Sequence, residues 1–179
     1  MAGAELGDCM LVIMAKAARP GAVKTRLGVC LPSDAITALY RCLLEDTIAL
    51  AQSLDGVAAA IMCPSADVEE LRRMADGNMQ VVAQRGAGLA AGLESVFEFF
   101  CVEGQRRIVA FNSDSPHLPP PMLRQAFDAL RSCDLVVGPT HDGGYYLVGA
   151  KAPHSGLFAA SVMAARCFPG DAVASSFTD

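Results

Sequence analysis

The chain has 179 residues, of which 53% are apolar and 18% charged, and its formal net charge is −5. That composition suits a globular chain with a sizeable core rather than a disordered one, and the acidic balance argues against general nucleic-acid binding, which needs a basic face. No apolar run approaches the roughly 18 residues required to cross a bilayer, so no membrane span is expected.

Residues 10–15 read as a first, buried strand. The apolar stretch CMLVIMA is preceded by Glu5 and Asp8 rather than by positive charge, so a strand fits it better than a signal sequence. KAARPGAVKTRL follows at once and gathers Lys16, Arg19, Lys24 and Arg26 with no acid among them. Gly21 permits a tight turn and close approach of the backbone, lysine supplies point charge, and arginine can grip two phosphate oxygens together. Thr25 adds a hydroxyl donor. The segment therefore reads as a phosphate-binding loop, with a solvated basic loop as the alternative. A Walker P-loop is excluded, because Val23 precedes Lys24 and no glycine stands at the required upstream position.

Ser33, after Pro32, is expected to cap a helix running to about Leu54, with Ile36, Tyr40, Leu43, Leu44 and Ile48 along one face. A second strand over 57–62 ends at Pro64. Ser65 is expected to cap a shorter helix through Glu69, Glu70, Leu71 and Met74, which Gly77 closes. A third strand near 80–83 leads into QRGAGLAAGL, where Gly86, Gly88 and Gly92 open a helix to about Cys101. The free N–H groups of such a helix start can meet an anion or a base edge, with Arg85 and Gly86 as phosphate-side candidates. Close packing on the sheet explains the small residues equally well.

A fourth strand, RIVAF, runs into NSDSPHLPPP, and a helix is expected over 122–131. Asp114 lies just past that strand, opposite the basic loop. An acid there is placed to hold Mg²⁺ or Mn²⁺ against phosphate oxygens; a turn or capping aspartate is the alternative. Asn112 and Ser113 read as residues that shape the site, and His117 as a loop residue rather than a base. A fifth strand, DLVVG, meets PTHDGG and then YYLVGA at 145–150. Asp-Gly is a hairpin signal. Gly144 and His141 exceed what a turn needs, however, so this segment can admit a ligand, with Asp142 binding a hydroxyl or acting as a base.

Strands alternating with helices predict an α/β chain, a three-layer α/β/α sandwich around a mostly parallel sheet. Only six residues, 139–144, separate the last two strands, too few for a parallel crossover of roughly a dozen or more. The sixth strand should therefore run antiparallel or sharply bent, which makes the sheet mixed. The loops 16–26, 84–88, 112–118 and 139–144 should then converge at the carboxyl edge of the sheet. No repeat or linker divides the chain, so residues 1–179 are expected to form one domain whose last thirty residues hold at most one helix, around 157–167, and a polar tail. Seven cysteines, odd in number and without a CxxC pair, suit buried apolar roles in a reducing cytoplasm.

Together, MLVIMAKAARPGAVKTRL, QRGAGLAAGL, FNSDSPHLPPPML and DLVVGPTHDGGYYLVG resemble the bacterial unknown-function domain family 2064 (DUF2064), over about residues 10–150. The resemblance implies a Rossmann-like GT-A nucleotide-diphospho-sugar transferase fold, with a more distant likeness to 2-phospho-lactate and molybdenum-cofactor guanylyltransferases. It implies that Lys16, Arg19, Lys24 and Arg26 contact nucleotide phosphates, and that Asp114 stands where the family has its metal-binding acid. Asp142, Gly143 and Gly144 would serve the sugar or acceptor side, with Asp142 and Lys24 as the catalytic candidates. Residues 151–179 diverge from the family pattern and read as a shortened C-terminal part. The implied activity is metal-assisted glycosyl transfer from a nucleotide-sugar to a small-molecule acceptor, with loss of a nucleoside diphosphate. A nucleotidyltransferase that releases pyrophosphate, and a nucleotide-binding protein without turnover, are the alternatives.

Overall fold

CMLVIM contains no charged residue across six positions, which is what a strand covered on both faces requires. In the computed structural model this segment, β1 (Cys9–Met14), lies inside the sheet and feeds two cores. Cys9, Leu11 and Ile13 point into one cluster, and Met10 and Val12 into the other. Residues 7–75, 77, 79–141, 143–154, 156–158 and 173–175 are described.

The first cluster is covered by α1 (Ser33–Gln52), α2 (Val68–Met74) and α4 (Pro120–Ala129). On α1, Ile36, Tyr40, Leu44, Ile48 and Ala51 recur every three or four residues and are buried, as one face of a helix demands. The second cluster is covered by α3 (Gly88–Val102) through Leu93, Val96, Phe97 and Phe100. Phe158 extends it, stacking on Phe97 with ring centroids 5.6 Å apart. The expected three-layer α/β/α arrangement is what forms.

The remaining strands are β2 (Ala58–Cys63), β3 (Gln80–Ala83), β4 (Arg107–Asn112), β5 (Leu135–Pro139), β6 (Tyr145–Ala150) and β7 (Val173–Ser175). Their order is β3-β2-β1-β4-β6-β5-β7. The pairs among β3, β2, β1 and β4 are parallel. β6 runs antiparallel to both β4 and β5, as its short connection requires, and β5 therefore points the same way as β4. The chain winds outward from β1 to β2 and β3, then crosses to β4 on the other side, so the winding reverses between β1 and β4. In open sheets such a reversal opens a crevice at the carboxyl ends of the strands.

Several boundaries differ from the sequence expectation. Ser33 is the first helical residue of α1, not its cap; Pro32, extended at ψ 151°, takes the cap position, and its carbonyl accepts the first bond from Ile36 N–H. Ser65 starts a 3₁₀ turn (Ser65–Asp67) that delivers the chain to α2, and it makes no side-chain cap. α4 begins at Pro120 because proline suits the first helical turn, where no N–H bond is needed. The tail was expected to hold no strand, yet β7 pairs antiparallel with β5. The helix expected around 157–167 falls mostly outside the described residues. Among the described residues, no helix is long and apolar enough to cross a membrane.

Candidate functional site

β1 and β4 are paired with Met14 opposite Asn112, and β1 and β2 with Met14 opposite Met62. Two residues further on, Lys16, Pro64 and Asp114 therefore leave neighbouring strands at the same level. β3 joins them, since Cys63 pairs with Ala83 and Gln84 N–H donates to the Cys63 carbonyl at 2.8 Å. The loops after these four strands wall a pocket of about 590 Å³, within the size range of small-ligand sites. Lys16, Lys24 and Asp114 are its charged lining, while Met14, Pro64 and Leu89 are among its apolar lining.

α1 ties the two sides together from beneath. The Tyr40 hydroxyl accepts the Lys16 N–H at 3.2 Å, lies 3.2 Å from the Lys16 carbonyl and 2.8 Å from Ser113 Oγ. Two turns along, Thr47 Oγ1 donates to the Ser113 carbonyl at 3.3 Å. The exits of β1 and β4 are thus fixed to one helix, and Asp114 follows Ser113 directly.

Lys24 reaches across the pocket, and its ammonium pairs with Asp114 Oδ2. Its backbone is left-handed at φ 47°, the one positive φ outside glycine among the described residues. Such a conformation costs on the order of 1–3 kcal/mol in a non-glycine residue and tends to persist at functional positions. Burial pulls the Lys24 ammonium below its ordinary pKa, and the adjoining carboxylate opposes that pull.

The other two cations of the loop behave differently. The Arg19 guanidinium is held outside the pocket by Asp67 Oδ1 at 2.7 Å, Glu70 Oε2 at 3.2 Å and the Ala66 carbonyl at 3.1 Å. Asp67 is buried and uses its other oxygen to accept Ala17 N–H at 3.0 Å. Arg19 and Asp67 therefore fasten the loop to the start of α2. Arg26 and Thr25 lie exposed on a 3₁₀ helix (Thr25–Val29) that buries no residue. Gly21 takes φ 74° where the loop turns, ahead of Lys24.

On the far wall, the Gln84 amide donates to the carbonyls of Gly86 and Gly88, at 3.2 and 3.4 Å, and both glycines have positive φ. Gly86 lines the pocket, whereas Arg85 lies outside the lining and pairs with Glu98 at 3.7 Å along the exposed side of α3. Gly92 has a packing role. A Cβ there would lie 2.8 Å from both Gln84 Oε1 and Met14 Cε.

The turn 139–144 reaches the same sheet edge, but its described residues lie outside the pocket lining and β6 stands between it and β4. Gly143, at φ 83°, donates to the Thr140 carbonyl at 3.1 Å, and Thr140 N–H donates to the Gly144 carbonyl at 2.9 Å. Asp142 lies outside the described residues. Three of the four expected loops thus meet in the pocket. Sequence reasoning missed Asp67 and Gln84 altogether and read Tyr40 only as a core position. The buried tyrosine was the available signal, because its hydroxyl needs a polar partner. Burial pushes the Cys9 and Cys63 thiols up to about 11, so both stay protonated and apolar in character.

No group of three or more His, Cys, Asp or Glu side chains able to hold a metal occurs among the described residues. An all-protein cage is therefore absent there. One carboxylate that already accommodates the Lys24 cation fits a hard divalent ion of the kind that takes its other ligands from water and substrate phosphates.

The mixed sheet with helices on both faces is that of the nucleotide-diphospho-sugar transferase fold. A protein from Desulfovibrio desulfuricans G20, provisionally named a nucleotide-diphospho-sugar transferase, is similar with a TM-score of 0.74 and 28% identity, over 80% of this chain and 63% of its own. The 4-diphosphocytidyl-2C-methyl-D-erythritol synthase of Anaerococcus prevotii DSM 20548 shares the fold at TM-score 0.52 and 12% identity, covering 75% of this chain and 56% of its own. Rv0371c of Mycobacterium tuberculosis H37Rv, solved as a manganese complex, does so at TM-score 0.51 and 21% identity, over 90% and 77%. The chain spans less than two thirds of the length of the first two. No curated protein matches it. The profile of the family described as "Uncharacterized protein conserved in bacteria (DUF2064)" matches residues 47–164, and the chain belongs to that family.

Proposed function

We propose that the chain is a metal-assisted transferase that moves a glycosyl group from a nucleoside diphosphate-sugar to a small-molecule acceptor, releasing the nucleoside diphosphate. The observation that carries this reading is the meeting of Lys16, Lys24 and Asp114 in one pocket, where the winding of the sheet reverses. The diphosphate lies between the two lysines. As the bond to the sugar breaks, negative charge grows on the departing diphosphate, and ammonium groups already in place stabilise it. Losing one such preorganised group typically costs about 10²–10³ in rate. A divalent cation held by Asp114 would add charge neutralisation at the phosphate oxygens.

Gly21 gives the loop its turn, and Thr25 and Arg26 meet phosphate at the mouth beyond Lys24. Arg19 contributes by shaping the loop rather than by direct contact. Gly86 and its neighbours approach the rest of the nucleotide, with Arg85 outside that contact. Asp142, with Gly143 and Gly144, positions the acceptor hydroxyl. A reducing cytoplasm suits the six free thiols among the described residues.

Product analysis tests the reading. Nucleotide-sugars and nucleoside triphosphates are incubated with the protein, Mn²⁺ and a panel of hydroxyl acceptors. Release of a nucleoside diphosphate is the expected result. Pyrophosphate released from a triphosphate would replace glycosyl transfer with nucleotidyl transfer, and tight binding without any product would mark a non-catalytic nucleotide-binding protein.

A further inference from the structure

We propose that Lys24 is the resident counter-ion of Asp114, so that a divalent cation and a nucleotide must enter the pocket together, each releasing the partner the other needs. This rests on the reading of the pocket as a nucleotide site. Three observations carry it. First, the lysine ammonium occupies Asp114 Oδ2 directly, with the two side chains 35% and 18% exposed. Second, the lysine is held there by its backbone. Its left-handed φ of 47° follows Val23, which is 5% exposed and packed in the first core cluster, so Lys24 starts from a fixed position at the pocket wall. Third, no other described side chain offers Asp114 an ion pair. Arg19 is bound to Asp67 and Glu70, and Lys16 lines the pocket without an ion pair among the described residues.

The consequence is an exchange of partners. A divalent cation arriving alone has to displace the ammonium from its carboxylate and leave it in a partly desolvated position without a counter-charge. A diphosphate arriving alone meets a lysine already neutralised, close to a carboxylate that repels it. When both arrive, the cation takes Asp114, the phosphates take Lys24, and every charge keeps a partner. Each ligand then raises the affinity of the other by the same factor, as linkage requires. When only a minor fraction of molecules has the carboxylate free, apparent cation affinity falls by that fraction.

The experiment is a titration with Mn²⁺ alone, read by loss of the free-ion electron spin resonance signal, on the wild type, Lys24→Gln and Asp114→Asn. Lys24→Gln should bind Mn²⁺ about tenfold more tightly than the wild type, the gain expected if about one molecule in ten has its carboxylate free. Asp114→Asn should lose that binding. The factor by which Mn²⁺ tightens UDP or CDP should shrink in Lys24→Gln by the same tenfold. A merely structural lysine would not raise one affinity while lowering the other. Lys24→Met serves in place of the glutamine variant if that one fails to melt cooperatively. Equal Mn²⁺ affinity in the wild type and the Lys24 variant, or binding insensitive to Asp114→Asn, overturns the proposal. If no nucleoside diphosphate of a panel covering the common bases binds the wild type with Mn²⁺, the transferase reading fails instead, and the comparison with Mn²⁺ alone still decides whether Lys24 competes for the carboxylate.

Discussion

Tyr40 is 5% exposed on α1, and its hydroxyl joins the backbone of Lys16 to the side chain of Ser113. Removing that hydroxyl leaves the apolar ring in the core but unties the two exits that carry the charged groups. A single buried hydrogen-bonding group is worth about 1 kcal/mol net. Tyr40→Phe should therefore lower the urea unfolding free energy by about that much, and also weaken nucleotide binding severalfold in an isothermal titration. A stability loss with unchanged affinity would show that the bonds do not orient the site. At this scale the sequence was partly legible. Lys16, Lys24 and Asp114 could be placed because each sits a residue or more beyond an apolar strand. The role of Arg19 could not, since its partner Asp67 is 48 residues away and only the pairing of β1 with β2 brings them together.

The segment from Ser65 through α2 acts as a clasp on the basic loop. Asp67, 6% exposed, accepts both Ala17 N–H and the Arg19 guanidinium. Deleting the carboxylate orphans the buried Ala17 N–H and leaves Arg19 with Glu70 and the Ala66 carbonyl alone, a loss of about 2 kcal/mol. Asp67→Ala should show that drop in chemical denaturation, whereas Asp67→Asn, which can still accept from Ala17, should lose less. Similar losses in both would mean that the Arg19 pair dominates. The types of α1 to α4 and β1 to β6 were readable from periodicity and the Pro and Gly residues between them, and β3 and β6 fall where expected. Element ends were less so. α1 and α4 start at or just after prolines whose fixed φ sets the first turn, so a serine expected as cap becomes the first helical residue at Ser33.

For the whole molecule, the alternation of strand and helix and the short sixth connection were enough to foresee a mixed α/β/α sandwich with its ligand edge at the carboxyl ends. β7 was not foreseeable, because VAS carries no apolar run and finds its place only through pairing with β5. Four loops were expected to converge on one site. Three of them line the pocket, while β6, inserted between β4 and β5, holds the fourth aside. The central claim is that this pocket binds a nucleotide diphosphate through Lys16 and Lys24 with a divalent cation. Thermal unfolding with Mn²⁺ and a panel of nucleoside diphosphates and nucleotide-sugars tests it most directly, in the wild type and in the Lys16→Ala/Lys24→Ala variant. At a hundred times its Kd, a bound nucleotide should stabilise the wild type by about 2.7 kcal/mol, and should leave the double variant unshifted from its own melting point without nucleotide. No shift with any nucleotide, or an equal shift in both proteins, would contradict the account.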